Sequence, residues 1–233
     1  MMEYDELDEL DVLIEQLIEM ARPEAVENAA GFGIVPQTKF YGVAVSALRK
    51  MGKKIGNDHE LAGSLWESNI HDARILATIV DDPQDVTAAQ MELWVSSIDS
   101  WDLCDQCCTN LFHKTEFAYE KALEWSDREE VFVKRAGIAL MANLVTHQET
   151  ISDDEILKFV PILERHVEDE RESIKRAILW AMRQIGKRNR YLNSLMIETA
   201  KNIEKSASQS AFWIASEVLR ELTKETVQQG LSG

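Results

Sequence analysis

The chain has 233 residues, of which 45% are hydrophobic and 28% charged, so it is long enough to bury a core as one globular protein. It contains no apolar run near the roughly 18 residues that span a membrane. The first residues lack the basic and apolar segments of a secretory signal. Three clustered cysteines do not resemble an extracellular disulfide framework. We therefore expect a cytoplasmic protein without a membrane partner.

The net charge of −16 argues against a nucleic-acid partner at first sight, because DNA-binding proteins usually carry a basic surface. The charge is distributed unevenly, however. Residues 1–21 contain eight acidic residues and no basic one, which accounts for half of the excess. Residues 49–54 and 175–190 are instead rich in Lys and Arg. Since the local field steers a polyanion more than the net charge does, DNA remains a candidate partner; solvated helix faces are the alternative.

Helical periodicity recurs along the chain, and no segment alternates apolar and polar residues as a half-buried strand would. Helix-ending residues recur between the apolar stripes, at Arg22-Pro23, Gly31–Gly33, Asp82-Pro83 and Lys187–Asn189. The pattern predicts an all-α protein of about twelve helices with short connections. We expect one domain over residues 1–233, whose acidic first helix (residues 1–22) could cap the array.

One internal repeat is visible. Val133–Met141 aligns with Ile174–Met182 at a separation of 41 residues, which lies within the period of HEAT and armadillo units. The match predicts a HEAT-like solenoid, an α-α superhelix, with chance similarity over nine residues as the alternative. Because equivalent helices of a solenoid line one face, the Lys-Arg pairs of the two copies should project into one concave surface. The predicted DNA-binding residues are these pairs and the basic residues that follow: Lys134, Arg135, Lys175, Arg176, Arg183, Lys187, Arg188 and Arg190.

The densest functional pattern is the segment from Asp99 to Cys108. Asp99 or Ser100 is suited to cap a helix, in whose first turn Asp102 would complement the helix dipole. Trp101 and Asp105 then stand at i and i+4 and share one helix face. A carboxylate beside apolar residues needs a partner or a purpose. The structural alternative is a buried Asp105 that caps a neighbouring helix or pairs with an arginine.

Two further residue classes have simpler interpretations. Cys104, Cys107 and Cys108 with His113 invite a zinc site, but zinc sites usually combine ligands from two elements, so we expect buried thiols and no metal. Four tryptophans at helical spacing are predicted to pack in the core: Trp66, Trp94, Trp125 and Trp213.

Five blocks of sequence, in order, resemble the AlkD-type family of DNA alkylation-repair glycosylases. They cover about residues 40–190: Phe40–Lys50, His59–Ser68, Ser100–Asp105, Val133–Gly137 and Ile174–Asn189. The resemblance implies HEAT-like repeats around duplex DNA that carries alkylated bases, with no cofactor; we expect a monomer.

The resemblance also implies an activity and its residues. Members of the family excise N3- or N7-alkylated purines by hydrolysis of the N-glycosidic bond. Asp105 matches the catalytic aspartate, Trp101 and Trp180 match two tryptophans of the cleft, and Arg135 matches an arginine that contacts the DNA backbone. A cationic purine is already a good leaving group, so the site has to supply negative charge near the developing sugar cation.

A non-catalytic HEAT-like scaffold that binds protein or structured DNA is the alternative function, because solenoids mainly serve binding. Some family members carry bulky aromatic residues where this chain has Glu172 and Ser173. This difference leaves open whether the catalytic activity is retained.

Overall fold

A computed structural model of the chain describes residues 9–231. Within this range it consists of α-helices, one short 3-10 helix at Phe112–Lys114 and a single isolated bridge between Lys39 and Ile70, with no strand. The helices are α1 (Glu9–Glu19), α2 (Pro23–Gly31), α3 (Val45–Ile55), α4 (His59–Glu67), α5 (His71–Val80), α6 (Ala88–Ser96), α7 (Trp101–Asn110), α8 (Ala118–Ser126), α9 (Val131–His147), α10 (Asp153–Leu157), α11 (Phe159–His166), α12 (Glu172–Arg188), α13 (Arg190–Ile203), α14 (Gln209–Leu222) and α15 (Glu225–Gly230). None of them is both long and apolar enough to cross a membrane.

The predicted all-α class is confirmed, although the described residues form fifteen α-helices rather than about twelve. Part of the difference comes from one interrupted stretch. Pro161 is the third residue of α11, where its missing N–H is tolerated, and the chain breaks between α10 and α11 at Lys158. The predicted helix ends agree with the structure: α2 begins at Pro23 and ends at Gly31, and α12 ends at Arg188.

The chain divides after Thr115 into two compact units. We describe each by itself: the N-terminal unit (residues 9–115) and the C-terminal unit (residues 116–231). A single continuous domain therefore stays a prediction. Residues 1–8 of the predicted acidic helix lie outside the described range, and α1 contains the rest of that helix up to Glu19.

In the N-terminal unit, α5 is the central helix. It packs against α3, α4 and α7, and nine of its ten residues are buried. Between α2 and α3 the chain runs through residues 32–44 without forming a helix; we call this stretch the α2–α3 segment. Four of its backbone amides donate hydrogen bonds to carboxylates at the N-terminal ends of α5 and α7.

The C-terminal unit is built around the two helices of the predicted repeat. α9 and α12 each have 17 residues, and both ends of α12 lie 41 residues after those of α9. The two helices pack against each other, α8 packs on α9, and α13 and α14 pack on α12. The internal repeat therefore corresponds to two equivalent, adjacent helices, as the sequence predicts.

Gly137 allows α8 and α9 to approach closely. A methyl group at this position would lie 2.8 Å from the carbonyl carbon of Trp125 and closer still to the amide nitrogen of Ser126. Both atoms belong to backbone, so they cannot move aside as the end of a flexible side chain can. Only glycine fits this crossing without displacing a helix.

We predict that Gly137→Ala destabilises the protein by about 1–3 kcal/mol, the usual cost of overpacking a core. At an exposed position within a helix the same substitution would instead stabilise the protein, since alanine is favoured over glycine there by roughly 0.5–1 kcal/mol. Gly63 in α4 has no atom within 4 Å of an added methyl, and Gly63→Ala is the control. Denaturant unfolding should show the two variants moving in opposite directions, and a stabilised Gly137→Ala would contradict the steric argument.

Candidate functional site

The candidate site in the N-terminal unit is formed by the start of α7. The helix begins at Trp101, and Ser100 precedes it in an extended conformation. Trp101 and Asp105 are one turn apart and both half-buried, whereas the three cysteines of the helix are fully buried. The indole and the carboxylate thus share a helix face that reaches the surface, which is the arrangement their spacing predicts.

The indole of Trp101 is held by the α2–α3 segment. Its Nε1–H donates to the carbonyl oxygen of Phe32 at 3.1 Å. The ring of Phe32 is itself 78% exposed, so the backbone of this residue, and not its side chain, makes the contact with the helix. This hydrogen bond fixes the orientation of Trp101 at the first residue of α7.

Asp99, two residues before the start of α7, also binds the α2–α3 segment. Its Oδ2 accepts hydrogen bonds from the backbone amides of Gln37 (2.8 Å) and Thr38 (3.1 Å). We predicted Asp99 or Ser100 as a helix cap. Ser100 occupies the cap position without a side-chain hydrogen bond to the helix, and Asp99 binds a segment more than sixty residues earlier.

Asp72, at the start of α5, holds the second half of the α2–α3 segment. Its two oxygens accept from the backbone amides of Tyr41 and Val43, both at 2.7 Å. Burial raises the pKa of Asp72 above its ordinary value, although the two amides oppose this shift. A buried carboxylate is tolerated here because each oxygen receives a hydrogen bond.

Asp102 does more than complement the helix dipole, which is the role that the sequence suggested. Its Oδ2 lies 2.8 Å from Nε2 of His71, whose side chain is completely buried. Burial raises the pKa of Asp102, but the hydrogen bond and charge of His71 more than compensate, so the pKa lies below its ordinary value. The pair connects the first turns of α5 and α7. The histidines showed no such pattern in the sequence.

The three thiols of α7 are buried and form no disulfide, as predicted. Burial raises the pKa of Cys108 well above its ordinary value, and the hydrogen bond between Cys108 and Cys104 and the charge of Asp105 add to this effect. Asp105 therefore lies at the border between this apolar side of the helix and the surface. Its catalytic role and its structural alternative both stay predictions.

In the C-terminal unit, the first Lys-Arg pair does not project from its helix. Lys134 and Arg135 are each only 5% exposed. A guanidinium N–H of Arg135 donates to the carbonyl oxygen of Ser173, in the first turn of α12. The prediction that both pairs project into one surface is wrong for this pair, because the neighbouring helix covers it; DNA binding by these two residues stays a prediction.

The cations of α12 are exposed to a greater extent, but most are engaged by carboxylates. Glu172 pairs with both Lys175 and Arg176, at 2.6 Å each. The hydrogen bond from Lys175 lowers the pKa of Glu172, and the hydrogen bond from Arg176 lowers it to a smaller extent. The second predicted Lys-Arg pair therefore shares one counter-ion within its own helix.

Two of the remaining four predicted DNA-binding residues are also paired with carboxylates. Arg183 pairs with Glu217 at 2.8 Å and Lys187 with Glu221 at 2.7 Å. Hydrogen bonds from Lys187 and Lys224 lower the pKa of Glu221 to about 2. The Arg188 guanidinium donates to three carbonyl oxygens, those of Val145, Glu149 and Ile151. Arg190 is exposed and makes no ion pair within residues 9–231.

The tryptophans differ in their environments. Trp66, Trp94 and Trp125 are buried, which confirms the core prediction for these three. Trp213 is only half-buried, so the prediction is wrong there; the ammonium of Lys175 lies 4.8 Å from the centre of its ring. Trp180, the predicted second tryptophan of the cleft, is half-buried on α12, and its role stays a prediction.

Comparison with known proteins places the chain in a family. Its sequence matches the family described as DNA alkylation repair enzyme over residues 13–221. The uncharacterized proteins Lin0241 of Listeria innocua and Lmo0209 of Listeria monocytogenes are 26% and 24% identical to it over 140 residues. Those matches cover 59% of this chain and only 60% of the length of each relative.

A solved structure shares the fold over 96% of this chain. It is described as a new family of proteins related to the HEAT-like repeat DNA glycosylases with affinity for branched DNA structures. The TM-score is 0.78 at 18% identity, and the match covers 96% of this chain and 97% of that one. The fold is that of the HEAT-like repeat glycosylases, and, because the family match spans nearly all of the sequence, the chain belongs to the DNA alkylation repair enzyme family.

Proposed function

We propose that the protein is a DNA glycosylase that excises cationic N3- or N7-alkylated purines from duplex DNA. The observation that carries the proposal is the half-exposed face of α7 on which Trp101 and Asp105 lie one turn apart. That face starts at a helix end held by Phe32, Asp99 and His71. Fixed groups of this kind stabilise a transition state without having to reorganise during the reaction.

In the proposed reaction, the glycosidic bond of the alkylated purine breaks and positive charge develops on the sugar. The carboxylate of Asp105 stabilises that charge and orients the attacking water, which gives one proton to solvent as the sugar hydroxyl forms. The indole of Trp101 offers its face to the same cation, and we assign Trp180 the same role from the family resemblance. Neutral base departs, because the alkylated purine was cationic.

A second candidate function is binding of branched DNA without excision. The solved structure with the same fold is described as having affinity for branched DNA. Release of 7-methylguanine from an alkylated duplex, measured together with binding to a four-way junction, separates the two functions. Junction binding without any base release would establish the second.

Asp105→Asn tests the catalytic role, since it keeps the shape of the side chain and removes its charge. We expect the single-turnover excision rate to decrease by ~100–1,000-fold, the usual effect of losing one such preorganised group. Binding to undamaged duplex should be unchanged or slightly tighter. A variant that excises at the wild-type rate but melts at a lower temperature would show that Asp105 is a structural residue.

Asp102→Asn is the matched comparison on the same helix turn. We expect it to lower the free energy of unfolding by about 1.5–3 kcal/mol, because it weakens a charge-assisted hydrogen bond to the buried His71. The pKa of Asp102 is lowered in the folded state. Its contribution is therefore present above the unfolded pKa of about 3.9 and disappears as the pH decreases through the folded value. Unfolding curves of both proteins between pH 7 and pH 3 should converge at the acidic end; a constant difference would contradict this assignment.

Glu172→Gln tests whether Lys175 and Arg176 contact DNA. If they do, removing their shared counter-ion should tighten duplex binding and steepen its salt dependence by about 0.9 for each additional phosphate neutralised. Glu198→Gln is the control, because Glu198 is an exposed carboxylate on α13 without an ion pair among the described residues. Fluorescence anisotropy at several salt concentrations gives both quantities. Equal effects of the two substitutions would mean that only the net charge had been measured.

A further inference from the structure

The basic face of α3 is the largest group of cations in the described residues that carboxylates do not neutralise. Its four members are Arg49, Lys50, Lys53 and Lys54, all exposed. The helix contains no acidic residue between Val45 and Ile55. None of the four makes an ion pair within residues 9–231, although the whole chain has 41 acidic residues against 25 basic ones.

This arrangement opposes the stability of the helix. Arg49 and Lys53 are at i and i+4, as are Lys50 and Lys54, and like charges at that spacing destabilise a helix by about 0.2–0.5 kcal/mol per pair. Lys53 and Lys54 stand in the last turn, where the helix dipole favours cations. The dipole effect is confined to that turn, so it gives no reason for Arg49 and Lys50 in the middle of the helix.

Lys114 extends the same positive field. It follows α7 in the short 3-10 helix and is exposed. Burial lowers the pKa of Lys114, and the positive charge of Arg49 lowers it further. A polyanion on the face of α3 would relieve the repulsion among its four cations.

Two acidic residues in the loops after α3 and α5, Asp58 and Asp82, form hydrogen bonds with groups outside α3. Asp58 caps α4 by accepting from the amide of Leu61 at 2.9 Å. Asp82 accepts from the side chain of Asn57 at 3.1 Å. Neither carboxylate forms an ion pair with a cation of α3, so neither is a direct counter-ion of the basic face.

We propose that the face of α3 formed by Arg49, Lys50, Lys53 and Lys54 binds the phosphodiester backbone of duplex DNA. The choice of DNA as the polyanion rests on the proposed function. The placement on α3 rests on the unpaired cations alone, and it differs from the predicted DNA-binding residues, which belong to α9, α12 and α13. This face supplies affinity and orientation without base specificity, as phosphate contacts do.

The test is the double variant Arg49→Gln/Lys50→Gln of the full chain. Affinity for an undamaged duplex is measured between 50 and 200 mM salt. If both cations neutralise phosphates, the slope of log K against log salt should become shallower by roughly 1.8, at 0.9 per contact. Loss of two exposed charges, each of which repels a lysine one turn later in the helix, should leave the melting temperature unchanged or slightly higher, so the variant remains folded.

The control is Lys201→Gln/Lys205→Gln, which removes the same charge from exposed positions in α13 and just after it. A shallower slope for the α3 variant but not for this control supports the proposal. Equal slopes for both variants overturn it, even if the wild-type protein excises 7-methylguanine. A wild-type protein that binds duplex but releases no base overturns the glycosylase function and leaves the test of α3 intact.

Discussion

The α2–α3 segment has no helix of its own, so its backbone amides must find acceptors outside it, and this requirement organises the candidate site. Carboxylates at the starts of neighbouring helices meet it: Asp72 accepts from Tyr41 and Val43, and Asp99 from Gln37 and Thr38. In return, the segment supplies a carbonyl oxygen to Trp101. The orientation of the indole and the order of the segment thus depend on the same few hydrogen bonds.

The Lys and Arg side chains of the two units differ in their ion pairing, although the protein as a whole is strongly acidic. In the C-terminal unit, carboxylates such as Glu172 and Glu217 engage the predicted DNA-binding side chains, and Arg135 and Arg188 bind carbonyl oxygens. These contacts stabilise helix packing and reduce the field available to a polyanion. In the N-terminal unit, α3 keeps its cations unpaired. A protein with excess acid can still bind DNA if its free cations are concentrated in this way.

The features that could be predicted from sequence are those with short-range periodicity. The 41-residue offset of α9 and α12 and the shared face of Trp101 and Asp105 both follow from helical spacing. The family resemblance added the proposed activity. The pairing of His71 with Asp102 joins residues 31 positions apart, and that of Asp99 with Gln37 spans 62. No periodicity signals such contacts, because they depend on how the helices pack.

The burial of individual side chains was the other property that local sequence patterns could not predict. The Lys-Arg pairs of α9 and α12 occupy equivalent positions in the repeat, yet Arg135 is buried and its equivalent Arg176 is exposed. The difference arises because each pair meets a different neighbour: the first turn of α12 receives the guanidinium of Arg135, whereas Glu172 and Trp213 accompany the second pair. A repeat specifies the position of a side chain on its helix, but not what lies opposite.

All three cysteines of the chain lie on α7, fully buried, and the C-terminal unit contains none. A thiol reagent can react with them only when the N-terminal unit opens, and the raised pKa values of Cys107 and Cys108 reduce their reactivity further while it stays closed. The rate of thiol labelling under native conditions therefore measures the opening of one unit alone. The native cysteines of α7 can therefore report the conformational stability of the N-terminal unit without an engineered label.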